Sequence, residues 1–328
     1  MLARTPARVL LVAAALALPF GSGCNKKQQL TEVEVPEAGL TLRYDLTPGQ
    51  TYQGHVRMRN AAQTPMGEII SIVELDAALT VLSRGDQSKR EVEVTVSNIQ
   101  VDLRLPEGIP AGAAGMSPDS AKALEGMQIR FDLDAQGDTS NEPEPPEGMD
   151  PAMAGMIGMV TSAVTAGISV RLPDQAIEDG ATWDAVPKER DEEIKSAKST
   201  GAFEGLGRND AGEDIARLSF ESATESVRTQ GTLELTIKAE ATTKATFSAS
   251  GGYPVSVERK INNEIVGQAT ILIEIDAEWS KGSKVAVEAA PEAAPADDAD
   301  AQEVTDPCDP DYAGMEECAD DAEATAEG

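Results

Sequence analysis

Ala269-Thr270-Ile271-Leu272-Ile273-Glu274-Ile275-Asp276-Ala277-Glu278-Trp279 reads as a strand with one buried face. Ala269, Ile271, Ile273, Ile275, Ala277 and Trp279 share one side, and Glu274, Asp276 and Glu278 share the other. Only an extended chain, with its side-chain period of two, sorts the residues this way. The same pattern recurs upstream. Leu233, Leu235, Ile237 and Ala239 alternate with Glu234, Thr236, Lys238 and Glu240. Ala245, Phe247 and Ala249 follow, then a Gly251-Gly252 turn, then Val255, Val257 and Ile261. Ile215 to Phe220 is a further strand, and Gly201, Gly205 and Gly207 read as loop glycines.

The first half repeats the alternation. Leu40, Leu42, Tyr44 and Leu46 oppose Thr41, Arg43, Asp45 and Thr47, so 40–47 reads as a half-buried strand ended by a Pro48-Gly49 turn. Tyr52, Val56 and Met58 belong to a second strand, and Val73, Leu75, Leu79 and Val81 to a third. In the fourth, the apolar set jumps from Val92, Val94 and Val96 to Ile99, Val101, Leu103 and Leu105. A change of phase inside a strand predicts a bulge at Ser97-Asn98, which bends a sheet toward a barrel. Ser117-Pro118 opens a short helix to about Met127, and Ile129, Phe131 and Leu133 form a fifth strand. Glu142-Pro143-Glu144-Pro145-Pro146-Glu147 is a stiff connector.

Pro151 to Val170 holds no charged residue. Met153, Met156, Ile157, Val160 and Val164 recur at helical spacing, and Pro151 suits a first helical turn. The length permits a membrane span, but three glycines, several Ser and Thr, and no Leu or Phe make a poor one. A helix packed on the inner side of the sheet accounts for the absence of charge.

These elements predict a mainly β (α+β) protein: curled antiparallel sheets or half-barrels with one or two helices on the inner face. The body runs from 40 to 282, with halves at 40–142 and 175–282 joined by the Pro-rich connector and the apolar helix 151–170. Both halves open on the same signature, Gly49-Gln50-Thr51-Tyr52 and Gly180-Ala181-Thr182-Trp183. Duplication of a β half is one reading, and chance recurrence of a short turn is the other. Residues 24–39 are polar and read as a flexible spacer, and 283–328 as a disordered acidic tail.

The first 23 residues carry Arg4 and Arg8, an apolar run from Val9 to Phe20, and then Gly21-Ser22-Gly23-Cys24. A basic start, a short apolar core and a small-residue cut site are the layout of a secretory signal. The Ser22-Gly23-Cys24 ending resembles a bacterial lipoprotein signal. That resemblance implies a diacylglyceryl group on Cys24 and cleavage just before it. The large aliphatic residue usual three places before the cysteine is replaced by Gly21, and an ordinary secreted protein cut after Gly23 is the alternative. Asn25, not Asp, follows the cysteine, which under the sorting rule of that class implies the outer membrane; the periplasmic side is the expected location of the body and the cell surface the alternative. In overall plan, residues 40 to 282 resemble uncharacterised β-rich lipoprotein families of the bacterial envelope. More loosely, they are similar to half-barrel proteins that carry lipids or lipoproteins across the periplasm. No functional residue transfers from that likeness.

Composition narrows the chemistry. The net charge is −30, and fifteen acidic residues and no Lys or Arg lie between Glu288 and Gly328. So acidic a chain repels phosphate backbones, which excludes nucleic acid as a partner. The single histidine, His55, sits on the polar face of a strand without partners for a triad or a zinc site. No glycine fingerprint for a nucleotide follows a strand and opens a helix. We therefore expect no cofactor and no catalytic residue. With Cys24 lipidated, Cys308 and Cys318 remain as a candidate disulfide of an oxidising compartment.

Three functions stay open. The first is a binding module whose concave apolar face, covered by the helix of Met153, Met156, Ile157, Val160 and Val164, takes a hydrophobic ligand or another envelope protein's acyl chain. The second is a structural or interaction lipoprotein with a filled core. The third is metal binding: soft Cu(I) at Met153, Met156 and Met159, or Ca²⁺ at the acidic tail. Methionine also fills irregular apolar gaps, which accounts for the cluster without a metal.

Overall fold

The computed structural model describes residues 30–65, 67–85, 88–106, 122–143, 148–186, 194–230 and 233–286. Cys24, Cys308, Cys318, the start of the Ser117 helix, the core of the Pro-rich connector and the tail from 287 lie outside the described residues. The strand β12 (Ala269–Lys281) sits near the middle of one antiparallel sheet. The other strands are β1 (Thr31–Val33), β2 (Thr51–Thr64), β3 (Gly67–Gly85), β4 (Lys89–Arg104), β5 (Gln128–Asp134) and β6 (Thr139–Ser140). After the helix α1 (Pro151–Ile168) come β7 (Thr182–Asp184), β8 (Ile194–Arg208), β9 (Asp214–Gln230), β10 (Leu233–Ser248) and β11 (Tyr253–Ile265).

The spatial order is β1-β8-β9-β10-β11-β12-β2-β3-β4-β5-β6, with β7 also on β8, and the two edges do not pair with each other. The two halves are thus meanders fused into one sheet, because β12 pairs with β2 and sets Ile275 beside Met58. The inward side carries the core: Val56, Val73, Leu75, Val92, Val94, Phe131, Leu218, Phe247, Val257, Ile275 and Trp279 are all buried. Curling brings these rows around α1, of which Gly155 and Ser162 are the exposed positions. A helix enclosed on nearly every side has no use for a charge, which explains the neutral run. The N-cap is Asp150, whose carboxylate accepts from the backbone N–H of Ala152 and Met153.

The predicted bulge is present. Glu74 pairs with Gln100 but Asp76 pairs with Ser97, so β4 carries one extra residue. Asn98 takes a left-handed φ of 53°, its N–H donates to Glu125 Oε1 at 2.9 Å, and its side chain donates to Asp76. Burial passes from even to odd positions across it, from Val96 to Ile99 and Val101.

Three expectations need correction. Residues 40–47 are extended, and Leu42, Tyr44 and Leu46 are buried, but they join no ladder. They form a strap: Tyr44 N–H donates to Ala135 in the β5–β6 turn, and Asp45 N–H donates to Gly252 in the β10–β11 turn. Period two reports one-sided burial, and the strap obtains its burial from the end of the sheet. Part of the stretch read as a spacer is ordered, since Thr31 pairs with Arg208 and Val33 with Leu206. The supposed loop glycines belong to β8. Gly201 lies under the Trp183 indole, Gly207 under Leu30, and Gly205 (φ 134°) at a register shift, so each absence of a side chain makes room.

Hairpins alternate between two ends of the sheet. The β5–β6, β8–β9 and β10–β11 turns lie at one end, which the strap and residues 169–181 plug. There Leu40 and Ile177 form an antiparallel bridge, and Leu172 N–H donates to Gln136. Arg171 also pairs with Asp138 at 2.8 Å across this plug. The β2–β3, β9–β10 and β11–β12 turns lie at the other end, which no described segment crosses by backbone hydrogen bonds. We call this the open end.

Candidate ligand-binding face

The helix runs from the open end toward the plug, and its last carbonyls are held by side chains from distant parts of the chain. An α-helix leaves its final C=O groups without internal donors. Here Trp279 Nε1 donates to Gly167 O at 2.9 Å, Tyr44 Oη to Ile168 O at 2.6 Å, and Arg259 Nη2 to Ser169 O at 2.8 Å. Tyr44 Oη in turn accepts from Val170 N–H. The Arg259 guanidinium also donates to Thr243 Oγ1 and meets no carboxylate among the described residues. Burial pushes its pKa down, and the negative end of the helix dipole is the compensating partner. Burial likewise pushes the Tyr44 phenol well above its ordinary value. Both buried ionisable groups hydrogen-bond at the helix end.

The residues singled out on the helix divide by depth. Met156, Val160 and Val164 are fully buried in the core, and Met153, Ile157 and Met159 are half-buried against it. The helix therefore packs into the core from Met156 onward, with Met153 against its edge. The three methionines all take part in that packing. Among the described residues no group of three or more His, Cys, Asp or Glu side chains is placed to hold a metal ion. Among them also, no helix is long and apolar enough to cross a membrane.

Toward the open end the strands outrun the packed core, and their inward rows stay mostly apolar. In β10 the row continues from Ala241 to Ile237 and in β12 from Ile273 to Ile271; in β11 Ile261 and Ile265 flank Asn263, a polar residue of the same row. Val101 and Leu103 of β4 extend it across β3. All are half-buried, whereas Ala245, Val257 and Ile275 on the same rows are buried. Asn60 sits in this field, opposite Ile273 and Ser71, and its buried Oδ1 has no hydrogen-bond partner. An apolar surface with few polar groups is the usual lining of a small-molecule site. The sequence points to the concave apolar face under the Met153 helix but names only helix residues for it; Ile261, Ile271 and Ile273 read as inward without being assigned to the site.

The outward face differs in kind. Arg57 pairs with Glu74 at 2.8 Å and Arg59 with Glu274 at 3.0 Å, and His55 meets Asp76 at 2.9 Å. A shallow depression over β8 to β11 is lined by Lys198, Glu221, Glu240, Thr242 and Lys260. Mixed charge exposed to water offers no hold on an apolar ligand, so this hollow is not the candidate site.

No protein-family model and no curated protein sequence matches the chain. Among solved structures, the chain is similar to lipovitellin, in a structure concerned with lipid–protein interactions, at 14% identity and a TM-score of 0.47. The match covers 76% of this chain and 27% of that one, so this chain spans about a quarter of the other's length. It is also similar to DynF from the dynemicin biosynthesis pathway of Micromonospora chersina, at 10% identity and a TM-score of 0.19. That match covers 81% of this chain and 94% of DynF.

Proposed function

We propose that this is a non-enzymatic binding lipoprotein of the bacterial cell envelope. It is tied to the periplasmic side of the outer membrane through Cys24, and it takes an acyl chain or a similarly apolar ligand on the inward sheet face at the open end. The observation that carries this reading is the run of half-buried Ile237, Ile261, Ile265, Ile271 and Leu103 beyond the packed core. Burying one such side chain stabilises by roughly 1.5–3 kcal/mol, so a chain lying across several of them gains enough to be retained. Native mass spectrometry of the full-length protein, extracted from membranes in mild detergent, tests this. A co-purifying lipid that is lost in Ile261→Asp/Ile271→Asp protein supports it; a bare mass after incubation with fatty acid overturns it.

A second reading is an interaction lipoprotein whose interior is filled by its own side chains. The complete burial of Met156, Val160 and Val164 favours it. A bare mass together with a captured envelope protein would select this reading over the first.

A further inference from the structure

We infer that the open end of the sheet is held away from the membrane that anchors the protein, so that an acyl chain reaches the inward face from the aqueous side. This deepens the reading above and rests on it, in particular on lipidation of Cys24. The argument concerns where the chain leaves the body and how far it reaches.

The first described residue, Leu30, packs over Gly207, and Thr31 pairs with Arg208. Both partners adjoin the β8–β9 turn, at the plugged end. The other exit is at the same end: Val285 N–H donates to Gly49 O at 2.8 Å, beside the start of β2. From Cys24 to Leu30 there are six peptide steps, which reach at most about 20 Å when fully extended. The strand β2 has 14 residues and climbs roughly 40 Å from the plugged to the open end. A barrel-like tilt near 45° still leaves about 30 Å. The tether is therefore too short to run the length of the body and let the open end face the bilayer that holds it.

The consequence is chemical. Lateral entry from the anchoring leaflet meets the plug: the strap at Leu42 to Leu46, the Leu40–Ile177 bridge and the Arg171–Asp138 pair. The apolar rows open on the opposite side, where the donor is a lipid or an acylated chain delivered through water.

Two labels decide this on the full-length lipidated protein, in a Cys308→Ser/Cys318→Ser background. Ala211→Cys marks the β8–β9 turn and Gln268→Cys marks the β11–β12 turn; both positions are exposed. Each carries a thiol-reactive fluorophore, and the protein is reconstituted in phosphatidylethanolamine–phosphatidylglycerol vesicles containing doxyl-labelled phosphatidylcholine. We expect lipid quenching at 211 at least twofold greater than at 268. A conjugated tetraene fatty acid should also load faster from a soluble carrier than from the same vesicles. Equal or reversed quenching in protein that floats with the vesicles overturns the inference and leaves the binding reading standing. Protein that does not float overturns the anchor itself, and the inference with it.

Discussion

The Trp279 indole N–H and the Gly167 carbonyl meet at 2.9 Å, joining the strand at the centre of the sheet to the last turn of the helix. The approach needs two absent side chains. A Cβ on Gly54, the cross-strand neighbour of Trp279, would lie 2.5 Å from the indole ring. A Cβ on Gly167 would lie 3.0 Å from that of Ala277. The chain's other tryptophan repeats the arrangement: Trp183 covers Gly201 and donates to Arg171 O at 3.1 Å.

Trp279→Phe keeps a ring over Gly54 but leaves the Gly167 carbonyl without its donor. Urea unfolding should show a loss of about 1–3 kcal/mol, the cost of a buried unsatisfied polar group. Gly167→Val should cost a similar amount, about 1–3 kcal/mol, by overpacking against Ala277 and Val56. Wild-type midpoints in both variants would mean that the helix end is not docked as described.

Alkaline pH should destabilise the protein. Burial raises the Tyr44 and Tyr52 phenols above the ordinary value near 10. Between the unfolded and folded pKa values the native state holds a proton that the unfolded chain has lost, so stability falls as pH rises. The stabilisation is therefore complete below about pH 10 and declines above it. Denaturant midpoints at pH 9 and pH 11 check this, and Tyr44→Phe should flatten the slope. A slope unchanged in Tyr44→Phe/Tyr52→Phe protein would assign the loss to other groups.

Asn98 holds the β4 bulge with a φ that L residues with branched side chains avoid. Asn98→Val should lose about 1–2 kcal/mol, whereas Asn98→Gly should stay close to wild type. Thermal denaturation of the two variants measures the difference. Equal stabilities would show that the bulge shifts along the strand at no cost.

With Cys24 lipidated as proposed, Cys24→Ser protein expressed behind an ordinary cleavable secretory signal should move from the membrane to the aqueous fraction on detergent phase separation, since it lacks a diacyl chain worth ~0.8 kcal/mol per buried CH₂. An unaltered partition would remove the anchor from the account.

Much of the fold was legible because one-sided burial writes itself as alternation. The rows of β10 to β12 were readable, and so was the bulge, because a phase change between Val96 and Ile99 has only one geometric cause. The strap was misread for the same reason: Leu42, Tyr44 and Leu46 alternate as a strand does, and only the register with Ala135 and Gly252 distinguishes them. β8 was hidden because Gly201, Gly205 and Gly207 supply no side chains to mark an alternation, and the groups that cover them, from Trp183, Arg217 and Leu30, come from other segments of the chain. The candidate face was partly legible. Its isoleucines are plain in the sequence, but where the helix stops covering them depends on packing, and no local pattern records that.

The helix end has a kinetic consequence. Its three carbonyl contacts come from residues 44, 259 and 279, which bracket most of the described residues. The helix therefore gains its final hydrogen bonds only after both meanders have assembled and β12 has closed on β2, a contact pattern of high sequence separation that folds slowly. Neither meander should persist as a separately refolding fragment. In stopped-flow refolding, burial of the Trp279 indole should belong to the last phase.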